Sequence, residues 1–354
     1  MSVRERLHRS VSALIDAPPG SVSPAAVEQL ALEVFHWQLA RNEAYARVAD
    51  AALDGAAPAT IDEIPAVPTD VFKHCRVACF EPERAVRTFL TSGTTQDVRG
   101  AHAFDDLSLY ARGCVVAARR GLLPRDRYRL IFLAADEREA PESSLSFMLA
   151  RFADAWGGGD FCVRGGALDH ALARRRIDEA RRDDVPVALL GASYGFVHLM
   201  DAMGGAHEAL PAGSVVMPTG GFKGRSREIA PDVFHALLGE RFGVARAQIV
   251  GEYGMTELSS QAYEAHADGA APGTYRAPPW MVVRAVDPTT LAPLPEGEVG
   301  LVRVVDLANL GSAVAIQTSD LGRVMRDGFE VLGRAPGATP RGCARALDAA
   351  LSGG

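Results

Sequence analysis

Four short apolar runs, at 130–133, 187–190, 215–217 and 249–250, stand between segments of helical periodicity. Bounded runs of that kind predict an α/β architecture with largely buried strands. At 354 residues and 48% apolar content, the chain can bury a large core, as one big domain or two smaller ones. The stretch to about residue 50 reads as helical: Ser23-Pro24 supplies a cap and a first-turn proline, and Val27, Leu30, Leu32, Phe35, Leu39 and Tyr45 recur on one stripe. Pro65 and Pro68 close that region. Residues 76–80 read as a half-buried strand. The segment 171–184 mixes five arginines with acids and reads as a solvated helix face rather than a binding patch. From Trp280 onward the pattern changes to strands and turns, at 281–286, 299–305 and 329–332. The sequence carries no internal repeat, low-complexity segment or flexible linker.

Composition narrows the function classes. No apolar run is long enough to span a bilayer, and the N-terminus lacks the apolar segment of a signal peptide, so a cytoplasmic protein is expected. A net charge of −7 argues against a general nucleic-acid surface. Five cysteines without a C-x-x-C pair favour free thiols. His74, Cys75 and Cys79 are poorly spaced for a metal. Lys73 and Lys223 are the two lysines of the chain, which makes each easier to judge.

Four loops carry chemistry. Thr91-Ser92-Gly93-Thr94-Thr95 follows Phe89-Leu90 and offers N–H and O–H donors to anionic oxygens with little bulk in the way. Thr219-Gly220-Gly221-Phe222-Lys223 puts paired glycines after a strand, where a flat ligand can lie against the main chain. Gly251-Glu252-Tyr253-Gly254-Met255-Thr256-Glu257 joins a ring suited to stacking, a hydroxyl suited to phosphate and a carboxylate suited to a divalent ion. Thr318-Ser319-Asp320-Leu321-Gly322 places an acid in a turn, where it can accept both hydroxyls of a ribose. Each has a plainer reading as a turn or a packed amphipathic ring. Four in this order favour a nucleotide site.

These loops, with Gly333-Arg334, resemble core motifs of the adenylate-forming superfamily, and more closely its acyl-protein synthetase (LuxE-like) branch. The closer likeness rests on Ile64-Pro65 to Phe72-Lys73, Ser143-Ser144-Leu145, Gly221-Phe222-Lys223, the run GMTELSSQ from Gly254 and the ending with Arg341-Gly342-Cys343. It covers nearly all the chain from about residue 30, and GEYGMTELSSQ is its most specific part. The resemblance implies a fold of two packed sheets flanked by helices plus a small β-rich portion, with an acyl-adenylating domain at 1–333 and a short tail at 334–354. It implies that Thr91, Ser92, Gly93, Thr94 and Thr95 cradle the β- and γ-phosphates of ATP. Gly220, Gly221 and Tyr253 would sandwich adenine, Gly254 would belong to the same nucleotide site, Thr256 would contact the α-phosphate, Glu257 would hold Mg2+, and Asp320 with Arg334 would take the ribose. A carboxylic acid would attack the α-phosphorus and give an acyl-adenylate.

Departures from the common pattern set further expectations. The loop continues Gln96-Asp97-Val98-Arg99-Gly100, so Arg99 keeps a cation, and Asp97 is expected to point outward. The mobile C-terminal domain of most members, with its catalytic lysine, has no counterpart in the twenty residues after Arg334. Lys223 is the first candidate to replace that lysine, against a reading as a surface lysine; Lys73 is the second. Cys343 is the candidate acyl acceptor. Thr339-Pro340 reads as a helix start, and a first-turn thiol beside Arg341 would have a lowered pKa. Its alternative is a buried stripe of Cys343, Leu347 and Leu351. His102 reads as a structural histidine or a lining of the acid pocket, which is expected near Ser143-Ser144, 191–197 and Trp156. The expected partners are a carboxylic acid and an acceptor protein (a reductase or a carrier protein), with a homo-oligomer left open. The rivals are transfer to CoA or an amine, and a non-catalytic nucleotide-binding subunit.

Overall fold

The computed structural model describes residues 1–91, 98–221, 226–266, 269–335 and 341–351. Three helices open the chain: α1 (Val3–Asp16), α2 (Pro24–Leu39) and α3 (Glu43–Leu53). Their starts follow from local chemistry. Ser2 and Glu5 form a capping box on α1, Ser23 accepts from the Ala26 N–H with Pro24 in the first turn of α2, and Asn42 caps α3. Their apolar faces close on Phe35 and Tyr45, whose hydroxyl donates to the Pro65 carbonyl at 2.9 Å. Next come β1 (Val67–Pro68) and α4 (Val71–His74).

Residues 76–80 form no strand, contrary to expectation. Their backbone groups bond to a loop instead: the Cys79 N–H donates to the Gly311 carbonyl, and the Ser312 hydroxyl to the Val77 carbonyl. An antiparallel pair follows, β2 (Arg87–Leu90) with β3 (Ala101–Phe104).

The centre of the molecule alternates strands and helices: α5 (Ser108–Gly121), β4 (Arg129–Ala135), α6 (Ser144–Trp156), β5 (Asp160–Arg164), β6 (Ala167–Leu168), α7 (His170–Arg182), β7 (Val187–Ala192), α8 (Ser193–Met203), β8 (Val215–Thr219), α9 (Pro231–Phe242) and β9 (Glu252–Tyr253). Strands β5, β4, β7, β8 and β9 lie parallel in that order, with apolar side chains buried on both faces. The solvated face expected on α7 carries ion pairs, including Arg176–Asp160 at 2.9 Å and Arg181–Glu208 at 2.8 Å.

An antiparallel half completes the fold: β10 (Ala262–Glu264), β11 (Thr274–Arg276), β12 (Met281–Val286), β13 (Val299–Asp306), β14 (Ala315–Met325) and β15 (Gly328–Arg334). The α/β class stands, with one difference. The two expected layers are halves of a single 13-stranded sheet, joined where β9 pairs with β10. The last helix, α10 (Arg341–Leu351), lies against α3, β1 and α4, and the Arg47 guanidinium donates to the Ala350 carbonyl at 2.8 Å. Among the described residues no helix is long and apolar enough to cross a membrane.

Candidate active site

The order of the parallel half places the site. From β4 the chain runs outward to β5 on one side and returns to β7 on the other. Open α/β sheets bind ligands beyond the carboxyl ends of strands at such a reversal. There, β7 ends at Ala192 and β8 at Thr219, and the hydroxyl of Ser193, the first residue of α8, donates to the Gly220 carbonyl at 2.8 Å. Gly220 has φ +61°, and a Cβ on Gly220 or Gly221 would meet no atom within 4 Å. The pair therefore offers open main chain, as a flat ligand requires.

The next loop begins inside a strand. Ile249 makes only an isolated bridge to Val216, while Glu252 and Tyr253 form β9. Tyr253 is 8% exposed, with its ring edge-on to Phe329 at 5.4 Å. Its hydroxyl donates to Asp320 at 3.1 Å. Asp320 does not sit in a turn as expected. It lies within β14, opposite Arg334 on β15, whose Nε is 3.8 Å from its Oδ1. Arg334 is 82% exposed. The β14–β15 register shifts just past the acid, between Leu321 and Gly322, where Leu332 is the extra residue on β15.

Thr256 and Glu257 follow, held from beneath by residues that sequence reasoning did not single out. The Asn309 amide donates to the Glu257 carbonyl at 2.8 Å. Asp306 accepts from the Ser259 N–H at 2.8 Å, the Ser260 hydroxyl at 2.6 Å and the Ala308 N–H at 3.0 Å. Burial still lifts its carboxyl to about 6. His102 bonds through Nδ1 to the Thr256 carbonyl at 2.8 Å, so Nδ1 carries the proton and the ring is neutral. Burial pushes its pKa down to about 4, against that bond. This contact ties β3, and with it the Thr91–Gly100 neck, to the GEYGMTE loop.

At that neck the Thr91 N–H donates to the Gly100 carbonyl at 2.9 Å, and the Gly100 N–H to the Thr91 hydroxyl at 2.8 Å. Arg99 donates to the Thr91 carbonyl at 2.6 Å and the Leu90 carbonyl at 3.2 Å. Ser92, Gly93, Thr94, Thr95, Asp97 and Lys223 lie outside the described residues. Lys73 pairs with Asp70 at 2.7 Å. Trp156 donates to the Arg125 carbonyl at the end of α6.

Cys343 lies apart from these groups. It is 3% exposed and packs with Val286 and Leu301, against Leu321 and Ala335. Consecutive strand residues face opposite sides, so the thiol on Leu321 is on the face of β14 away from the Asp320 carboxylate. Burial, with the Asp70 charge adding to it, raises the thiol to about 11, where a lowered value was expected from a first-turn position. Leu347 packs on the core, as the buried-stripe alternative has it, whereas Leu351 is exposed.

Sequence reasoning also passed over Glu252. It accepts a hydrogen bond from the Thr219 hydroxyl, which ties the glycine-pair loop to β9. Burial pushes its carboxyl up to about 7, with that bond a smaller opposing effect. The signal available in the sequence was its place one residue before Tyr253, on the other face of a strand.

The family described as acyl-protein synthetase, LuxE, matches residues 171–352, more than half of the chain. The long-chain-fatty-acid–luciferin-component ligase of Aliivibrio fischeri is 25% identical over 304 residues, covering 84% of this chain and 79% of that protein. Its counterpart from Vibrio harveyi is 22% identical over 334 residues, covering 90% and 86%. Among solved structures, 2-hydroxyisobutyryl-CoA ligase in an open conformation aligns with a TM-score of 0.63 at 14% identity, over 90% of this chain and 79% of that one. ATP-bound MatB from Rhodopseudomonas palustris aligns with a TM-score of 0.52 at 16% identity, over 72% of this chain; the chain spans only 49% of MatB. At these identities the structural likenesses bear on the fold.

Proposed function

The chain belongs to the acyl-protein synthetase LuxE family, and from that premise we propose that it activates a carboxylic acid with ATP to an acyl-adenylate and passes the acyl group to a protein thiol. The observation that carries this reading is the Tyr253–Asp320 hydrogen bond beside the open Gly220-Gly221 backbone. It joins residues 67 positions apart into a ring, a carboxylate and a bare main chain, the three features a nucleoside needs. Gly220, Gly221, Tyr253 and Gly254 receive adenine, and Asp320 with Arg334 binds the ribose. Thr91 to Thr95 hold the β- and γ-phosphates, and Thr256 positions the α-phosphate.

Glu257 is the carboxylate placed to hold Mg2+, which usually takes one or two protein carboxylates plus phosphate oxygens. The ion would neutralise charge on the phosphates. One oxygen of the acid attacks the α-phosphorus, the bond to the bridging oxygen breaks, and pyrophosphate leaves. Little covalent work falls to the protein; it aligns the two reactants and shields the mixed anhydride from water. Lys223 is the cation assigned to the charge that develops at the α-phosphate.

In the second step a thiolate attacks the acyl carbon and AMP leaves. Cys343 fills this role only once α10 has left its bed, since its thiol is covered and faces away from Asp320. The same burial favours a second reading, in which the acceptor is the thiol of another protein, CoA or an amine, and Cys343 is structural. Carboxylate-dependent ATP–pyrophosphate exchange tests activation: exchange with at least one acid supports it, and none across a broad panel favours a non-catalytic subunit. Intact-mass analysis after incubation with ATP and acid tests the acceptor. An acyl adduct that survives Cys343→Ala removes Cys343 from the scheme.

A further inference from the structure

Glu252 is the one acidic side chain of the GEYGMTE loop that the scheme above leaves without work. Protein surrounds its carboxyl closely enough to raise its pKa to about 7, yet part of its surface stays accessible. Among the described residues its hydrogen-bond partner is the Thr219 hydroxyl, on one oxygen. The other oxygen lies against the main chain of Gly254, so close that a Cβ there would collide with it at 2.2 Å.

The surroundings are polar in the same unfinished way. Glu252 stands directly across the β9–β10 ladder from Tyr263, on the same face of the sheet. The Tyr263 hydroxyl is buried and has no hydrogen-bond partner. Tyr110 sits close enough to feel the Glu252 charge, and its hydroxyl makes a single long bond of 3.3 Å to the Ser144 carbonyl. Buried hydroxyls and carboxyls are ordinarily satisfied, and leaving one bare is costly.

Direction then decides what they serve. Tyr253 points to Asp320 and the nucleoside side, so Glu252, its neighbour in the strand, points to the opposite face. Gly254, against which this carboxyl lies, stands two residues before Thr256, where the reacting carboxylate must meet the α-phosphate. The body of the acid therefore passes over Glu252. A plain alkyl chain laid there would cover a carboxyl and a tyrosine hydroxyl without bonding to either.

We propose that Glu252, with Tyr263, is a specificity-determining pair that selects a carboxylic acid carrying a hydrogen-bonding substituent, a hydroxyl or an amine, over the plain alkyl acid of the same length. This rests on the activation reading above and names the substrate class for that site. The test is ATP–pyrophosphate exchange with chain-matched sets: plain acids and their 2-hydroxy, 3-hydroxy, terminal-hydroxy and terminal-amino forms. The wild type is expected to prefer one substituted form by at least about tenfold in kcat/KM. Glu252→Leu should lose that preference and gain on the plain acid, while Glu252→Gln should keep part of it for the hydroxy acid. A wild type that prefers plain acids, with a ratio unmoved in Glu252→Leu and Glu252→Gln, overturns the proposal. Absence of exchange with every acid overturns the activation reading, and this inference with it. Circular dichroism on each variant separates lost folding from lost selection.

Discussion

Glu252 on β9 and Glu264 on β10 are buried carboxyls in neighbouring strands, and their surroundings are opposite. Glu264 accepts from the Arg246 guanidinium at 2.7 Å, the Gly251 N–H at 2.7 Å and the Gly273 N–H at 2.6 Å, with His266 at 3.3 Å. Burial alone would raise its pKa, but Arg246 and the two amides outweigh burial and hold it below the usual value. Glu252 has Thr219 and an accessible side. A carboxylate given every donor it can use is scaffold: it pins the loop at Arg246, the start of β9 and the turn before β11. A carboxyl denied those donors is left for a ligand.

The strongest way to break this contrast is to truncate the scaffold member. Glu264→Ala leaves the Gly251 and Gly273 amides without their acceptor and strips the half-exposed Arg246 of its carboxylate, and should cost about 2–4 kcal/mol in urea unfolding. A loss below about 1 kcal/mol would mean that Glu264 is not holding those loops. The pH dependence has a definite sign. The folded pKa of Glu264 lies below its unfolded value, so its contribution is present above that unfolded value of 4.5 and is lost as pH falls through the folded one.

The thiol of α10, also buried, offers the next test. With its pKa near 11, Cys343 in the resting protein should react with iodoacetamide at pH 8 about a hundredfold more slowly than an exposed thiol. Peptide mapping reads this directly. Acceleration on adding ATP and acid would show α10 leaving its bed during turnover; rapid labelling of the resting protein would contradict the docked position.

Glu252→Gln should have the opposite sign to truncation of Glu264. The folded pKa of Glu252 is raised from 4.5 to about 7, so its proton-linked contribution is present below 4.5 and lost as pH rises through 7. Gln does not titrate. The variant should match wild type near pH 4 and gain on it up to pH 8, by about 2 kcal/mol after discounting for partial exposure. A difference that stays flat with pH would show Glu252 to be an ordinary carboxylate. The smallest effect belongs to Tyr253→Phe, which removes one hydrogen bond to Asp320. ATP binding by titration calorimetry should weaken by about 1 kcal/mol, or about fivefold in Kd.

The contrast also explains what the sequence could reveal. Runs at 130–133, 187–190 and 215–217 were legible as β4, β7 and β8 because a strand buried on both faces needs unbroken apolar residues. Ser23-Pro24 was legible because a cap is local chemistry. Asp320 was misplaced in a turn because Thr318-Ser319-Asp320-Leu321-Gly322 reads locally as a turn, whereas its strand pairing with Arg334 is set by β15. The segment 76–80 was misread as a strand because its hydrogen-bond partners, Gly311 and Ser312, lie far away in the chain. Glu252 and Asp306 went unmarked because depth and the number of donors are properties of the folded molecule. The thiol of Cys343 was expected to be activated by its helix position, a local argument overridden by the apolar residues that cover it.

The central claim is that an oxygen of the acid attacks the α-phosphorus. It is tested most directly by supplying an acid whose carboxyl oxygens are heavy oxygen and analysing the AMP released after acyl transfer by mass spectrometry. The released AMP should bear one heavy oxygen, because the bond broken in transfer lies between the acyl carbon and that oxygen. Unlabelled AMP, or ADP with the heavy oxygen in inorganic phosphate, would contradict it.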